Sequence, residues 1–380
     1  MMRSSPSMTK QRSRVALVRG TTRYQTIAIG LDSISSEVHW PDKGYVLIKP
    51  NFVSTTRPLA ATHVDAVRAI LDFVRAHTDL PIVIAEGAAL SNTWEGFANF
   101  GYLPLPDEYV NVSLQDLNAD IPVSVQVYDR NFRPQTLHLA RTVVEADLRI
   151  SVGPPKTHDT VIVTLSLKNM VMGSLINRRA AELPYSTTAR GGIARENPLT
   201  AKANLNLAIR ELYGRLPGRI KQLSVLESLR SCYMTMVGNS DKARMHQGYP
   251  AINLNLFLLA HDVYPHLSVI DGWEAMEGDG PVDGAPVDWR VAIVSADFLA
   301  ADALTVDLMS FRLHEIGYLH YCYQAGMGAG SLDEMDIVGN LKPDHARRRF
   351  RRPSTYRGQR QWALPPQAAR LLEDHVKQPD

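Results

Sequence analysis

A short apolar, β-branched run stopped by glycine, proline or a polar residue recurs along this chain. The runs are VALVRG from Val15, YVLIKPN from Tyr45, LPIVIAEGA from Leu80, VSVQVYD from Val123, LRISVGP from Leu148, HLSVIDG from His266 and WRVAIVSAD from Trp289. Strands covered on both faces read as such runs, and the closing residue delivers the strand's carboxyl end to a loop. Helical periods lie between them. In THVDAVRAILDFVRAH, Val64, Val67, Ile70, Leu71 and Val74 fall on one stripe, with Thr62 as the expected N-cap and Asp65 in the first turn. NPLTAKANLNLAIRELYGRL from Asn197 and SADFLAADALTVDLMSFRL from Ser295 read the same way, Ser295 or Asp297 capping the second. The alternation predicts an α/β fold of mainly parallel sheets with helices on both faces, as one elaborate domain or two intimate lobes sharing a central crevice. The expected divisions are a mobile leader over 1–12, an α/β catalytic domain over 13–341 with possible lobes 13–150 and 151–341, and a basic C-terminal tail over 342–380.

Composition narrows the partners. Lys and Arg number 41 against 39 Asp and Glu, a formal charge of +2, so any basic function is local. Seven arginines between Arg347 and Arg360, interleaved with Phe350 and Tyr356 and followed by Trp362, are the feature that argues for nucleic acid; a solvated or substrate-covering tail is the alternative. Cys232 and Cys322 are too few for a disulfide framework or an iron–sulfur cluster held by one chain. The opening MMRSSPSMTKQRSR has no apolar signal core after it, and INLNLFLLA from Ile252 is far shorter than the ~20 residues of a membrane span. A soluble cytoplasmic protein without a membrane partner, and a possible homo-oligomer, is the expectation.

Four polar clusters fall at the ends of predicted strands, where open α/β sheets gather functional groups. The first holds Lys49, Asn51, Thr55, Thr56, Arg57 and His63, and its hydroxyls and guanidinium suit a carboxylate or phosphate. The second is Glu86. The third is PPKTHDTVIVTLSLKNMVMG, with Lys156, His158, Asp159, Lys168 and Asn169. A helix starting near Asp159 would put Thr164 and Lys168 on one face and His158 at its mouth, where the positive helix end favours a neutral imidazole able to accept a proton. A capping histidine with snorkelling lysines is the plainer reading. The fourth is the turn-rich, acidic WEAMEGDGPVDGAPVD, where Asp271, just before it, Glu277 and Asp279 offer oxygen ligands to a divalent metal, though without EF-hand spacing. The chain has no Walker loop, GxGxxG after a strand, HExxH, CxxC or GxSxG.

IKPNFV from Ile48, Thr62–His63 opening a helix, AEG from Ala85, ADLRISVGPPKTH from Ala146, LKNMVMG from Leu167, IDG with GDGPVDG, and SADFLAADALTVDLM resemble, in this order, the family of domain of unknown function 362 over roughly residues 45 to 340. The resemblance implies an α/β fold and a crevice shared by these motifs. Many members carry a ferredoxin-like cysteine cluster; this chain lacks it, which argues against electron transfer. His63, His158 and Lys168 also resemble three positions of the lactate racemase family, where two histidines are acid and base and a lysine tethers a nickel-pincer nucleotide. Here the lysine context is LSLK rather than glycine-rich GGRK, which argues against that cofactor.

Together these readings predict an enzyme that moves protons on a small anionic metabolite, in isomerisation, cyclisation or elimination, with secondary metabolism as one setting. His158 and His63 are the expected base and acid. Lys156, Lys168 and Arg57 bind the anion, and Asn51 and Asn169 support oxyanion charge. A non-catalytic carrier of an anionic metabolite, cofactor or metal-bound group is the alternative.

Overall fold

All the apolar runs but VSVQVYD form strands of the main sheet because they are rich in β-branched residues and buried on both faces. The computed structural model describes residues 12–89, 91–183 and 240–376. Most of the expected leader, the expected helix from Asn197, and Cys232 lie outside the described residues.

The main sheet contains β1 (Ser13–Val18), β2 (Val46–Lys49), β3 (Ile82–Glu86), β4 (Val112–Asp116), β7 (Leu148–Gly153), β10 (Leu267–Glu277), β11 (Ala285–Ser295) and β12 (Met335–Val338) in the order β12-β1-β11-β10-β7-β2-β3-β4. β11 runs antiparallel to both its neighbours, and the other pairings along this path are parallel. The mainly parallel α/β fold expected from the sequence is therefore the fold observed. One face, carrying Leu47 and Ile270, packs on helices Ser166–Ser174, Tyr249–Val263, Phe298–Leu308 and Gly317–Gln324. The other, carrying Val46, Ile48 and Val269, packs on helices Arg23–Ser33 and Val64–Arg75.

Several local expectations change. VSVQVYD is not in the main sheet: it forms β5 (Pro122–Tyr128), paired with β6 (Pro134–Ala140) as a separate antiparallel hairpin. Its alternation of valine with Ser and Gln is the pattern of a strand buried on one face only. The stretch after Lys156 is not helical. It forms β8 (Lys156–His158) and β9 (Ile162–Thr164), an antiparallel pair attached to β10, and the helix begins at Ser166. The β-branched run TVIVT outweighs the helical spacing of Thr164 and Lys168, so His158 does not stand at a helix mouth. β10 continues through WEAME, leaving only residues 278–284 as the turn. His63, not Thr62, caps helix Val64–Arg75, its Nδ1 accepting from Asp65 N at 3.1 Å. Thr62 instead accepts from Asn51 N at 2.8 Å and donates to Val152 O at 2.9 Å, tying β2 to β7. Asp297 caps helix Phe298–Leu308 as expected.

The arginine-rich segment folds back over the β8–β9 hairpin. Phe350 is buried against the Trp289 ring, whose Nε1 donates to Ala346 O at 2.7 Å. Arg347 pairs with Asp307 at 2.9 Å, Arg352 lies over the Phe311 and Tyr356 rings, and Arg360 meets Glu315 at 3.5 Å. No helix among the described residues is long and apolar enough to cross a membrane.

Candidate functional site

The carboxyl ends of β2, β3 and β7 reach one edge of the sheet at Lys49, Glu86 and Gly153. Lys49 follows Leu47 on the face of the larger core, and its ammonium pairs with Glu86 while donating to Pro50 O at 3.0 Å and Asn169 Oδ1 at 3.2 Å. Asn51 Nδ2 shares that Asn169 oxygen at 3.0 Å, and Asn51 Oδ1 accepts from the Lys156 ammonium, which also reaches Ala60 O at 3.3 Å. Asn169 Nδ2 returns to Ser151 Oγ at 3.0 Å and Lys49 O at 3.3 Å. Every side chain in this network is buried.

Two features of the neighbouring helix make the network possible. At Gly173 a Cβ would lie 2.0 Å from both Cε and Nζ of Lys49, so only glycine leaves room for the lysine. At the helix start, Asp302 accepts from Ser166 N at 2.9 Å and Leu167 N at 3.1 Å, which fixes the turn carrying Lys168 and Asn169. Burial pushes the Asp302 carboxyl up to about 7, against the lowering effect of those two N–H groups.

The electrostatics are those of an excess of buried cations. Burial, then repulsion by Lys168, brings Lys156 down to about 7. Burial brings Lys168 to about 8, although Asp159 acts the other way. Lys49 is also lowered, because burial outweighs its partner Glu86. Lys242 is lowered to about 7 by burial, and its ammonium donates to Met172 O at 3.1 Å and Gly173 O at 3.2 Å. Lys168 is 6% exposed, and among the described residues no hydrogen bond holds its Nζ. Desolvation disfavours each ammonium, and a bound anion would reverse that preference.

The remaining candidates divide. His158 is buried on β8, two residues from Lys156, and its Nδ1 accepts from Thr160 N at 3.0 Å. A neutral ring so held carries its proton on Nε2. His63 is half exposed, and its pKa is lowered by burial and then by Arg23, which pairs with Asp271 at 3.1 Å. Those groups lie on the opposite face of the sheet from Lys49, because Asp271 follows Val269 by two residues. Thr55 donates to Glu95 at 2.7 Å, Thr56 N donates to Ser54 Oγ at 3.2 Å, and Arg57 reaches Asp283 at 2.7 Å, so this loop is not drawn into the lysine network.

The structure does not bring together Asp271, Glu277 and Asp279 as metal ligands. Asp271 and Glu277 are six residues apart along one strand, a span of about 20 Å; Asp271 faces Arg23, Glu277 accepts from Arg351 N at 2.9 Å and Asp279 from Ser354 N at 2.7 Å. No group of three His, Cys, Asp or Glu suited to a metal occurs among the described residues. The buried lysines around Lys168 likewise supply no donor set for nickel.

Lys242 and Asp302 were not singled out from the sequence. Asp302 had a signal, an aspartate inside an otherwise apolar helix; Lys242, in GNSDKARMHQG, had none. Two recesses, of about 180 Å³ beside Asp307 and Phe311 and about 810 Å³ beside Arg14 and Asp336, include none of the network residues. Chemistry rather than volume marks the site.

A thylakoid-associated protein of Synechocystis sp. is 24% identical over 273 residues, covering 70% of this chain and 62% of that relative, so the chain spans less than two thirds of the relative's length. The lactate racemase apoprotein of Thermoanaerobacterium thermosaccharolyticum is similar at a TM-score of 0.38 and 11% identity, over 80% of this chain and 59% of that one, too weakly to bear on function. The profile described as "Domain of unknown function (DUF362)" matches residues 46–307, and with more than half of its length matched, the chain belongs to that family.

Proposed function

We propose that the lysine network is the active site of an enzyme that binds a small organic anion and moves protons on it, with isomerisation, cyclisation or elimination as the outcome. The observation that carries this reading is the burial of Lys49, Lys156 and Lys242 around Glu86, with buried Lys168 next to Lys156 and the last two titrating near 8 and 7. Amines tuned to neutrality exchange protons readily, and unpaired buried cations favour an anionic ligand.

In this mechanism Lys168, protonated, holds the anion. Lys156, neutral in part of the population at pH 7, takes a proton from the carbon next to the carboxylate or carbonyl. The charge that develops on oxygen is met by Lys168 and by the second N–H of Asn51 Nδ2, while Asn169, its own N–H groups held by Ser151 Oγ and Lys49 O, fixes Asn51 in place. The protonated Lys156 returns the proton to complete the step, while His158, neutral, serves through Nε2–H as a hydrogen-bond donor only. His63 and Arg57, whose charged neighbours are Arg23 with Asp271 and Asp283 respectively, stay outside this assignment.

The test is proton exchange into deuterated water, followed by NMR on malonate, pyruvate and oxaloacetate. The expected result is protein-dependent exchange at the carbon next to the carbonyl, rising through pH 7, and reduced roughly 10²–10⁴-fold in Lys156→Met. Binding of these acids without any exchange would instead identify a carrier.

A further inference from the structure

We propose that Thr164, Lys156 and Lys168 form the seat for one carboxylate group of the ligand, an inference that rests on the anion-binding reading above. Thr164 stands opposite Lys156 in the β8–β9 pair, and directly opposed residues of an antiparallel pair project to the same face. Its side chain is 3% exposed, and among the described residues its hydroxyl has no hydrogen-bond partner. Native proteins leave few buried polar atoms in that condition, and one at a site of unpaired cations is a donor awaiting an acceptor. Lys168 offers a second such donor, since among the described residues no hydrogen bond holds its ammonium. Lys156 spends donors on Asn51 Oδ1 and Ala60 O, which leaves one of its three N–H bonds unassigned. The depression of Lys156 by Lys168 shows that the two ammonium groups act on each other.

The kind of anion follows from the donors that are missing. Phosphate, with more oxygens and about two charges, is usually met by helix amino-terminal N–H groups or the fork of an arginine in addition to lysine. Here the amides of Ser166 and Leu167 already serve the Asp302 carboxylate, and Arg57 is engaged by Asp283. What remains is one hydroxyl, the Lys168 ammonium and Lys156, which carries only part of a charge near pH 7, a set suited to the two oxygens and single charge of a carboxylate.

Isothermal titration of the full chain with formate, acetate, oxalate and inorganic phosphate tests the assignment, beside the variants Thr164→Val, Thr164→Ser and Lys168→Met. The expected result is binding of at least one carboxylate in preference to phosphate, weakened about tenfold or more by Thr164→Val and by Lys168→Met, and retained by Thr164→Ser. Because the Thr164 hydroxyl makes no bond in the free protein, Thr164→Val should melt no lower than the native chain. A lower melting temperature for Thr164→Val with unchanged affinity would show that the hydroxyl is structural and overturn the seat. Loss of binding in Lys168→Met alone would overturn the seat while sparing the anion site. Tighter binding of phosphate would overturn the carboxylate assignment. A native chain that binds none of these carboxylates would remove both readings, whereas variants that all bind as it does would overturn the seat alone.

Discussion

A lysine that titrates near neutrality in the folded chain and near 10.5 when unfolded makes stability depend on pH, and Lys156, Lys168 and Lys242 all behave this way, at about 7, 8 and 7. Below pH 7 they are charged in both states, and the folded chain bears the full cost of burying them. Between about pH 7 and 10 the unfolded chain binds more protons than the folded one, so these groups make stability rise with pH. Tyr24, Tyr45, Tyr109 and Tyr321, each held at about 12, oppose that rise only above about pH 10. Asp302, raised to about 7, opposes the rise below that pH, so melting temperature should climb from about pH 7.5 to 9.5, and less steeply with saturating oxalate, because a bound anion favours the protonated lysines. Oxalate affinity should fall over the same window. A flat profile without ligand would show that the lysines titrate normally, in contact with water.

At the level of elements, helix Ser166–Ser174 carries the site, and its fit depends on a missing side chain. Gly173→Ala would gain about 1 kcal/mol of helix propensity. Against that stands a methyl group 2.0 Å from the buried end of Lys49. Overpacking costs about 1–3 kcal/mol, and breaking a buried ion pair about 3–5 kcal/mol. Urea denaturation should show a net loss of up to about 2 kcal/mol where the lysine end shifts aside, and about 2–4 kcal/mol where its pair with Glu86 breaks. How far these elements can be read from sequence differs along the chain. The strands ending at Lys49, Glu86 and Gly153 were legible because a run apolar on both faces has few other uses. Lys156, Lys168, Asn51, Asn169 and Glu86 were legible for the same reason, being polar groups at strand ends or next to them. The β8–β9 hairpin was not, because the i to i+4 spacing of Thr164 and Lys168 imitates a helix while the β-branched TVIVT run sets the backbone. Nor was the place of His63: its neighbours Arg23 and Asp271 come from distant parts of the chain, and which face of the sheet they occupy depends on packing rather than on local pattern.

For the molecule as a whole, the segment after Lys342 acts as a strap across the hairpin that bears His158. Gln359, 1% exposed, donates to His158 O at 2.9 Å and accepts from Ile162 N, while Thr355 donates to Asp159 O at 2.7 Å. Gln359→Ala would leave a buried donor and a buried acceptor unpaired, at about 1–3 kcal/mol each. The expected result is faster hydrogen exchange at the Ile162 amide, with little change in the strands on the far side of the sheet. Unchanged exchange at Ile162 would show that the strap does not hold the hairpin. The position of β1 between β11 and β12 has a consequence of another kind. During synthesis β1 leaves the ribosome long before residues 285–295 and 335–338 exist. At about 5–20 residues per second it waits tens of seconds with neither edge paired. An apolar strand left open that long is exposed to aggregation, so the strand order of this sheet leaves the newborn chain vulnerable until its last strand has been made.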